Sequence, residues 1–171
     1  MTPDSSPFRL FMRGVYARPQ NGASRHPPRI LRGRMEKTFA IIKPDAVESK
    51  NAGKILTRIE AEGFRVVAFK RHRISRAEAE SFYGEHRAKG FFGSLVAYMT
   101  SGPVYVAVLE RENGVAHWRS VMGATDPAKA DPGTIRREFG QSIERNAAHG
   151  SADAADASRE VTFFFPQAEL I

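Results

Sequence analysis

The run Arg145-Asn146-Ala147-Ala148-His149-Gly150-Ser151 sets one histidine beside a side-chain amide, a glycine that exposes backbone, and a hydroxyl. A neutral imidazole can attack phosphorus at neutral pH without a helper base, so this stretch could carry a nucleophile. The other four histidines sit in blander surroundings. His26 lies near the N-terminus, His72 between arginines at a strand end, His86 after a charged helix and His117 beside Trp118, and each reads as surface or packing. A polyphosphate partner needs several fixed cations, with arginine forks matching its oxygens. Lys43 before Pro44, Arg119 before a long loop, Arg136 after Gly133-Thr134, and the Thr125 hydroxyl are the available set. Taken singly, each of those cations reads as a solvated surface charge.

Common alternatives are missing. The chain has no cysteine, which removes disulfides, thiolate metal sites and cysteine nucleophiles. It contains no G-x-x-x-x-G-K-[ST], no G-x-G-x-x-G after a strand and no H-E-x-x-H, and Gly150-Ser151 lies in no G-x-S-x-G elbow. No apolar run approaches the roughly 18 to 20 residues that span a bilayer, so the protein reads as soluble. The formal charge of +7 suggests nucleic acid until it is located along the 171 residues. Residues 1 to 34 hold seven arginines and one acid, Asp4, for a net +6, leaving +1 for everything after them.

The elements that would position these residues begin at Met35. Before it the sequence is rich in Arg, Pro and Gly without a sustained period, and reads as a basic, disordered extension. A misplaced start with Met35 as the true initiator suits the abrupt change; a targeting peptide suits Phe8, Phe11, Met12 and Val15 at helical spacing. Gly14, Pro19 and Pro27-Pro28 weaken the second. Residues 35 to 171 then read as one domain.

Thr38 to Ile42 is a β-branched and apolar strand that ends at Lys43-Pro44-Asp45. Residues 52 to 62 form an amphipathic helix closed by Gly63, and Phe64 to Phe69 a second strand. Ser75-Arg76-Ala77-Glu78 matches a capping box opening a helix through Phe82 and Tyr83, with another helix across Ser94 to Met99. Val104 to Leu109 is a third strand and residues 113 to 122 a helix. Gly123 to Gly133 is a loop, and loops this long inside compact domains are usually functional or disordered. Ile135 to Phe139 is a helical turn and Asn146 to His149 an extended piece. Asp153 to Arg159 reads as an Ala-rich helix, and Val161 to Phe165 as a separate closing apolar segment. This order predicts an α+β fold, a ferredoxin-like α/β sandwich with a four-stranded antiparallel sheet covered by helices.

The motifs resemble those of the nucleoside diphosphate kinase family. The matching pieces are Ile41-Ile42-Lys43-Pro44-Asp45, Phe91-Phe92 with Leu95, Met99-Thr100-Ser101-Gly102-Pro103, Gly123-Ala124-Thr125-Asp126-Pro127, Pro132-Gly133-Thr134-Ile135-Arg136, and Asn146-x-x-His149-Gly150-Ser151. They keep the family's order and separations from Met35 to Pro166. The resemblance implies ping-pong phosphoryl transfer from ATP or another nucleoside triphosphate to a diphosphate, with His149 phosphorylated at Nδ1. Glu160 would accept a hydrogen bond from the imidazole, although by itself it reads as a helix-end surface acid. Lys43, Tyr83, Arg119, Thr125 and Arg136 would hold phosphates, and Lys43 and Asn146 the ribose. Phe91, supported by Leu95, would stack on one face of the base and Ile143 would lie on the other; stacking tolerates any base.

One departure stands out. Where the family reads His-Gly-Ser-Asp, this chain has His149-Gly150-Ser151-Ala152-Asp153. The resemblance implies Mg²⁺ as cofactor, carried on the nucleotide phosphates, with no protein ligand assigned: Asp153 either substitutes for the displaced carboxylate or favours the positive start of its helix. Weaker metal assistance is expected, not loss of activity, and a coupled assay of Ala152→Asp measures the difference. The family also implies a homotetramer or homohexamer. A cytoplasmic location is expected, or a mitochondrial one if residues 1 to 34 are a transit peptide, and the short C-terminus suggests a bacterial type. Two other readings compete: a single-strand nucleic-acid module whose binding falls with salt, and a nucleotide-binding pseudo-enzyme, against which the intact cation and histidine set argues.

Overall fold

The computed structural model describes residues 35 to 170, so the reading of residues 1 to 34 lies outside the described residues. A four-stranded antiparallel sheet is built from β1 (Met35–Ile42), β2 (Arg65–His72), β3 (Val104–Glu112) and β4 (Ala148–Gly150), in the order β2-β3-β1-β4. The connections are α1 (Pro44–Glu48) and α2 (Ala52–Ala61) before β2, then α3 (Arg76–Phe82) and α4 (Phe92–Met99) before β3. They continue with α5 (Gly114–Met122) and α6 (Ile135–Phe139) before β4, and α7 (Ala154–Phe164) follows it. That is the ferredoxin-like arrangement, with the sheet's interior pair β1 and β3 flanked by β2 and β4.

Helices cover both faces. Alternation along β1 sends Phe39 and Ile41 to one face, where they meet Phe82, Val96, Met99, Val161 and Phe164 from α3, α4 and α7. Ala40 and Ile42 go to the other, against Ile55, Ile59, Trp118, Met122 and Ile135 from α2, α5 and α6. A strand buried on both sides has no polar face, which is why Thr38 to Ile42 reads as a continuous apolar run. The Ser75/Glu78 capping box is present: Glu78 N donates to Ser75 Oγ and Ser75 N to Glu78 Oε2.

One expectation about local structure is extended and one is corrected. Lys43-Pro44-Asp45 ends β1 but also opens α1, because proline at the first helical position already has the helical φ and gives up an amide that would be unpaired there. Val161 to Phe165 is not a separate segment: α7 runs unbroken from Ala154 to Phe164. Ala157, Glu160, Val161 and Phe164 are its buried stripe, and packing of that stripe outweighs the β-preference of Val-Thr-Phe-Phe-Phe. Among the described residues no helix is long and apolar enough to cross a membrane.

Candidate active site

His149 is placed by the sheet. β4 pairs with β1 so that His149 lies opposite Ile41 and Ala148 opposite Ile42, and the ladder is extended where Ser151 N donates to Phe39 O. The strand's other flank is pinned by Trp118, fully buried, whose Nε1–H donates to His149 O at 3.2 Å. A Cβ at position 150 would collide with that indole, so glycine after the histidine is a packing requirement.

The imidazole stands among aromatic edges, with ring centroids at 6.2 Å from Phe39, 5.7 Å from Phe82 and 6.4 Å from Tyr83. Its Nε2 lies 3.1 Å from Glu160 Oε1. A carboxylate can only accept, so Nε2 carries the proton and Nδ1 keeps its lone pair. Glu160 is itself held: Ser151 Oγ donates to Oε2 at 2.7 Å, and Phe39 N donates to Ser151 Oγ at 3.1 Å. The reading of Glu160 as a helix-end surface acid is therefore corrected. It is 4% exposed, in the middle of α7, because the lengthened helix turns it inward on the stripe that buries Val161.

A cavity of about 480 Å³ opens over His149, a size suited to a small-molecule ligand. Lys43, Tyr83, Thr125, Arg136 and Asn146 line its polar side, and Phe91, Leu95 and Ile143 its apolar side. Lys43 Nζ donates to Asn146 Oδ1 at 2.6 Å. Asn146 in turn donates through Nδ2 to the carbonyls of Ile143 and Thr125, tying the Lys43 corner to the loop around residue 125. Arg136 reaches back to the carbonyls of Gly123 and Ala148.

Electrostatics mark this wall as poised for an anion. Burial and then the Arg136 charge lower the Lys43 ammonium from 10.5 to about 8, with Asp45 and Glu144 opposing. Burial and then the Arg119 charge lower Arg136 to about 10. Burial and then Glu160 raise the Tyr83 phenol, which stays a proton donor. Among the described residues only three buried side-chain polar atoms lack a hydrogen-bond partner, Thr38 Oγ1, Tyr83 Oη and Arg136 Nε. Two of them belong to residues lining this cavity, and a buried donor without an acceptor is costly unless a ligand supplies one.

Arg119 is the exception among the carried-over cations. It is exposed on α5 and borders a separate concavity with Ala152 and Asp153, acting on the cavity through its charge at Arg136. Sequence reasoning also missed residues. His86, read as surface or packing, lines the cavity with its ring centroid 5.7 Å from Phe91. Ser94 and Glu144 line it too, and no motif or spacing singles them out. Asp153 accepts from Asp156 N as the N-cap of α7, so its carboxylate serves the helix start. Among the described residues no three His, Asp or Glu side chains converge as a metal cage.

Residues 36 to 170 match the family model described as nucleoside diphosphate kinase. The chain belongs to the nucleoside diphosphate kinase family. It is 53% identical over 137 residues to nucleoside diphosphate kinases from Geobacter sp. (strain M21) and Geobacter sulfurreducens, covering 80% of this chain and all of theirs. Among solved structures, that of the Aquifex aeolicus nucleoside diphosphate kinase superposes with a TM-score of 0.79 at 40% identity, covering 81% of this chain and 100% of that one. A halophilic nucleoside diphosphate kinase from Halobacterium salinarum, in complex with CDP, gives 0.78 at 41% identity, covering 81% and 92%. The activity is accordingly the family's, transfer of a phosphoryl group from a nucleoside triphosphate to a diphosphate by a ping-pong mechanism, and the chain is an enzyme.

Proposed function

We propose that His149 is the phosphate acceptor of that reaction and that the cavity over it holds the nucleotide. The Nδ1 lone pair attacks the γ-phosphorus, the bond from phosphorus to the β-bridging oxygen breaks, and the diphosphate leaves with the electron pair. In the second half a different diphosphate's terminal oxygen attacks the phosphohistidine and the imidazole leaves with its electrons restored. Glu160 stabilises the positive charge the ring gains and keeps the proton on Nε2; Ser151 holds Glu160 in line. The observation that carries the reading is the Glu160 contact, which fixes the tautomer of a histidine lining a cavity with two lowered-pKa cations.

Lys43, Tyr83, Thr125 and Arg136 bind the phosphates, with Arg119 contributing charge from outside the wall, and Lys43 and Asn146 reach the ribose. The transferred group is loose and charge-spread, so positioning and cations supply most of the acceleration. Leu95 supports Phe91 against the base, with Ile143 opposite. The donor set fits Mg²⁺ carried by the nucleotide's own phosphates and water, where it would offset charge on the oxygens; Ala152 offers no carboxylate and Asp153 is engaged as a cap. We place the catalytic domain at residues 35 to 171, assembled as a homotetramer or homohexamer in the cytoplasm, and expect a chain lacking residues 1 to 34 to keep full activity.

Incubation with γ-labelled ATP tests the assignment. Wild type should acquire acid-labile, base-stable label and His149→Gln none; label surviving that substitution removes His149 from the mechanism.

A further inference from the structure

We propose that Asp45 is a positioning residue: its carboxylate holds a left-handed backbone turn at Ala147 and thereby sets the places of Lys43, Asn146 and His149. The inference rests on the reading of His149 above and adds a residue that neither binds nucleotide nor touches the ring.

Ala147 has φ +67°, a conformation that a residue with a Cβ disfavours by a factor of roughly five to thirty in population. It is fully buried, so water cannot satisfy its backbone there. Both of its backbone groups are taken by the segment that ends β1 and starts α1. Its N–H donates to Asp45 Oδ2 at 3.0 Å, and its carbonyl accepts from Lys43 N at 2.9 Å. The other carboxylate oxygen accepts from Tyr98 Oη at 2.6 Å, which anchors Asp45 to α4. Asp45 is 2% exposed.

The consequences for the site are geometric. The residue before the turn, Asn146, accepts the Lys43 ammonium; two residues after it, His149 enters the β4 ladder opposite Ile41. Without the carboxylate, Ala147 N–H would be a buried donor with no acceptor in the conformation whose carbonyl accepts from Lys43 N. The turn would relax toward negative φ, carrying Asn146 away from Lys43 and shifting the register of His149. Asp45 also favours the charged form of Lys43, against burial and Arg136.

The test is the single-turnover rate of His149 labelling by γ-labelled ATP in the full chain, followed across pH so that a change in the Lys43 proton is separated from a change in the turn, with thermal midpoints measured alongside. Asp45→Ala should slow labelling by about thirtyfold, and Asp45→Asn, which keeps an acceptor for Ala147 N–H, by less than about fivefold. Ala147→Gly placed on Asp45→Ala should recover at least about fivefold at a temperature well below every variant's thermal midpoint, because glycine reaches positive φ without penalty. A residue that merely stabilised the fold would show no such recovery. Should Asp45→Ala not fold, Tyr98→Phe decides the matter: labelling about threefold slower, restored by Ala147→Gly. Wild-type labelling in Asp45→Ala, or no recovery on adding Ala147→Gly in either background, overturns the proposal. Label on His149→Gln would instead overturn the reading of His149, so the two failures are distinguishable.

Discussion

Behind His149 at the floor of the cavity Glu160 is 4% exposed and fixed by two hydrogen-bonded partners, whereas at the mouth Phe91 and Ile143 are 53% and 62% exposed and offer only apolar surface. The floor needs direction: the attacking nitrogen has to be the right one, and a misplacement of about 1 Å can cost roughly 10²-fold. The mouth needs tolerance, since an aromatic face stacks on any base. One site thus combines a rigid reacting centre with an undemanding entrance.

The contrast can be broken at three depths. At the floor, Glu160→Gln should lower kcat by roughly 10²-fold with little change in KM, because the negative charge opposing the imidazolium is needed only as phosphorus is attacked. Equal loss in KM would mean that Glu160 serves binding. Halfway up, Lys43→Met should lower kcat/KM by about tenfold or more and yet stabilise the ligand-free protein by about 1–3 kcal/mol at pH 7. The sign follows from the shift. A lysine at about 8 in the fold and 10.5 when unfolded binds its proton less well in the fold. Its destabilising effect is therefore full below pH 8 and fades as pH rises toward 10.5. In wild type the same group should give kcat/KM an alkaline limb near pH 8, missing from the variant. At the mouth, Phe91→Ala should raise KM by about three- to tenfold, by similar factors for purine and pyrimidine nucleotides. A loss confined to one base would mean the entrance reads identity after all.

Legibility in the sequence follows the same division. β1 and the helix after Gly53 announce themselves through periodicity, and the Ser75/Glu78 box through spacing, because each is a local signal. The joins are harder. Pro44 marks a strand end and a helix start at once, and only the second half of that meaning escapes sequence reading. Val161 to Phe165 looks like a separate apolar segment because its β-branched and aromatic residues are read without the Glu160-Val161-Phe164 stripe that packs them helically. Among site residues, the motifs bring Lys43, Phe91, Thr125, Arg136, Asn146 and His149 to one cavity, but they do not reveal that Arg119 stands outside its wall. His86 and Asp45 are missed for different reasons. His86 is close to Phe91 in sequence, but nothing in that spacing says that the two rings line one cavity. Asp45 stands inside a matched motif, yet its action on Ala147, 102 residues away, leaves no trace in local spacing.

The most direct measurement is the nitrogen that carries the phosphate. Protein labelled with ¹⁵N in the histidine ring and phosphorylated with a nucleoside triphosphate should show phosphorus coupled to Nδ1 of His149, with Nε2 retaining its proton toward Glu160. Phosphate on Nε2, or on Ser151 instead of the ring, would contradict the account.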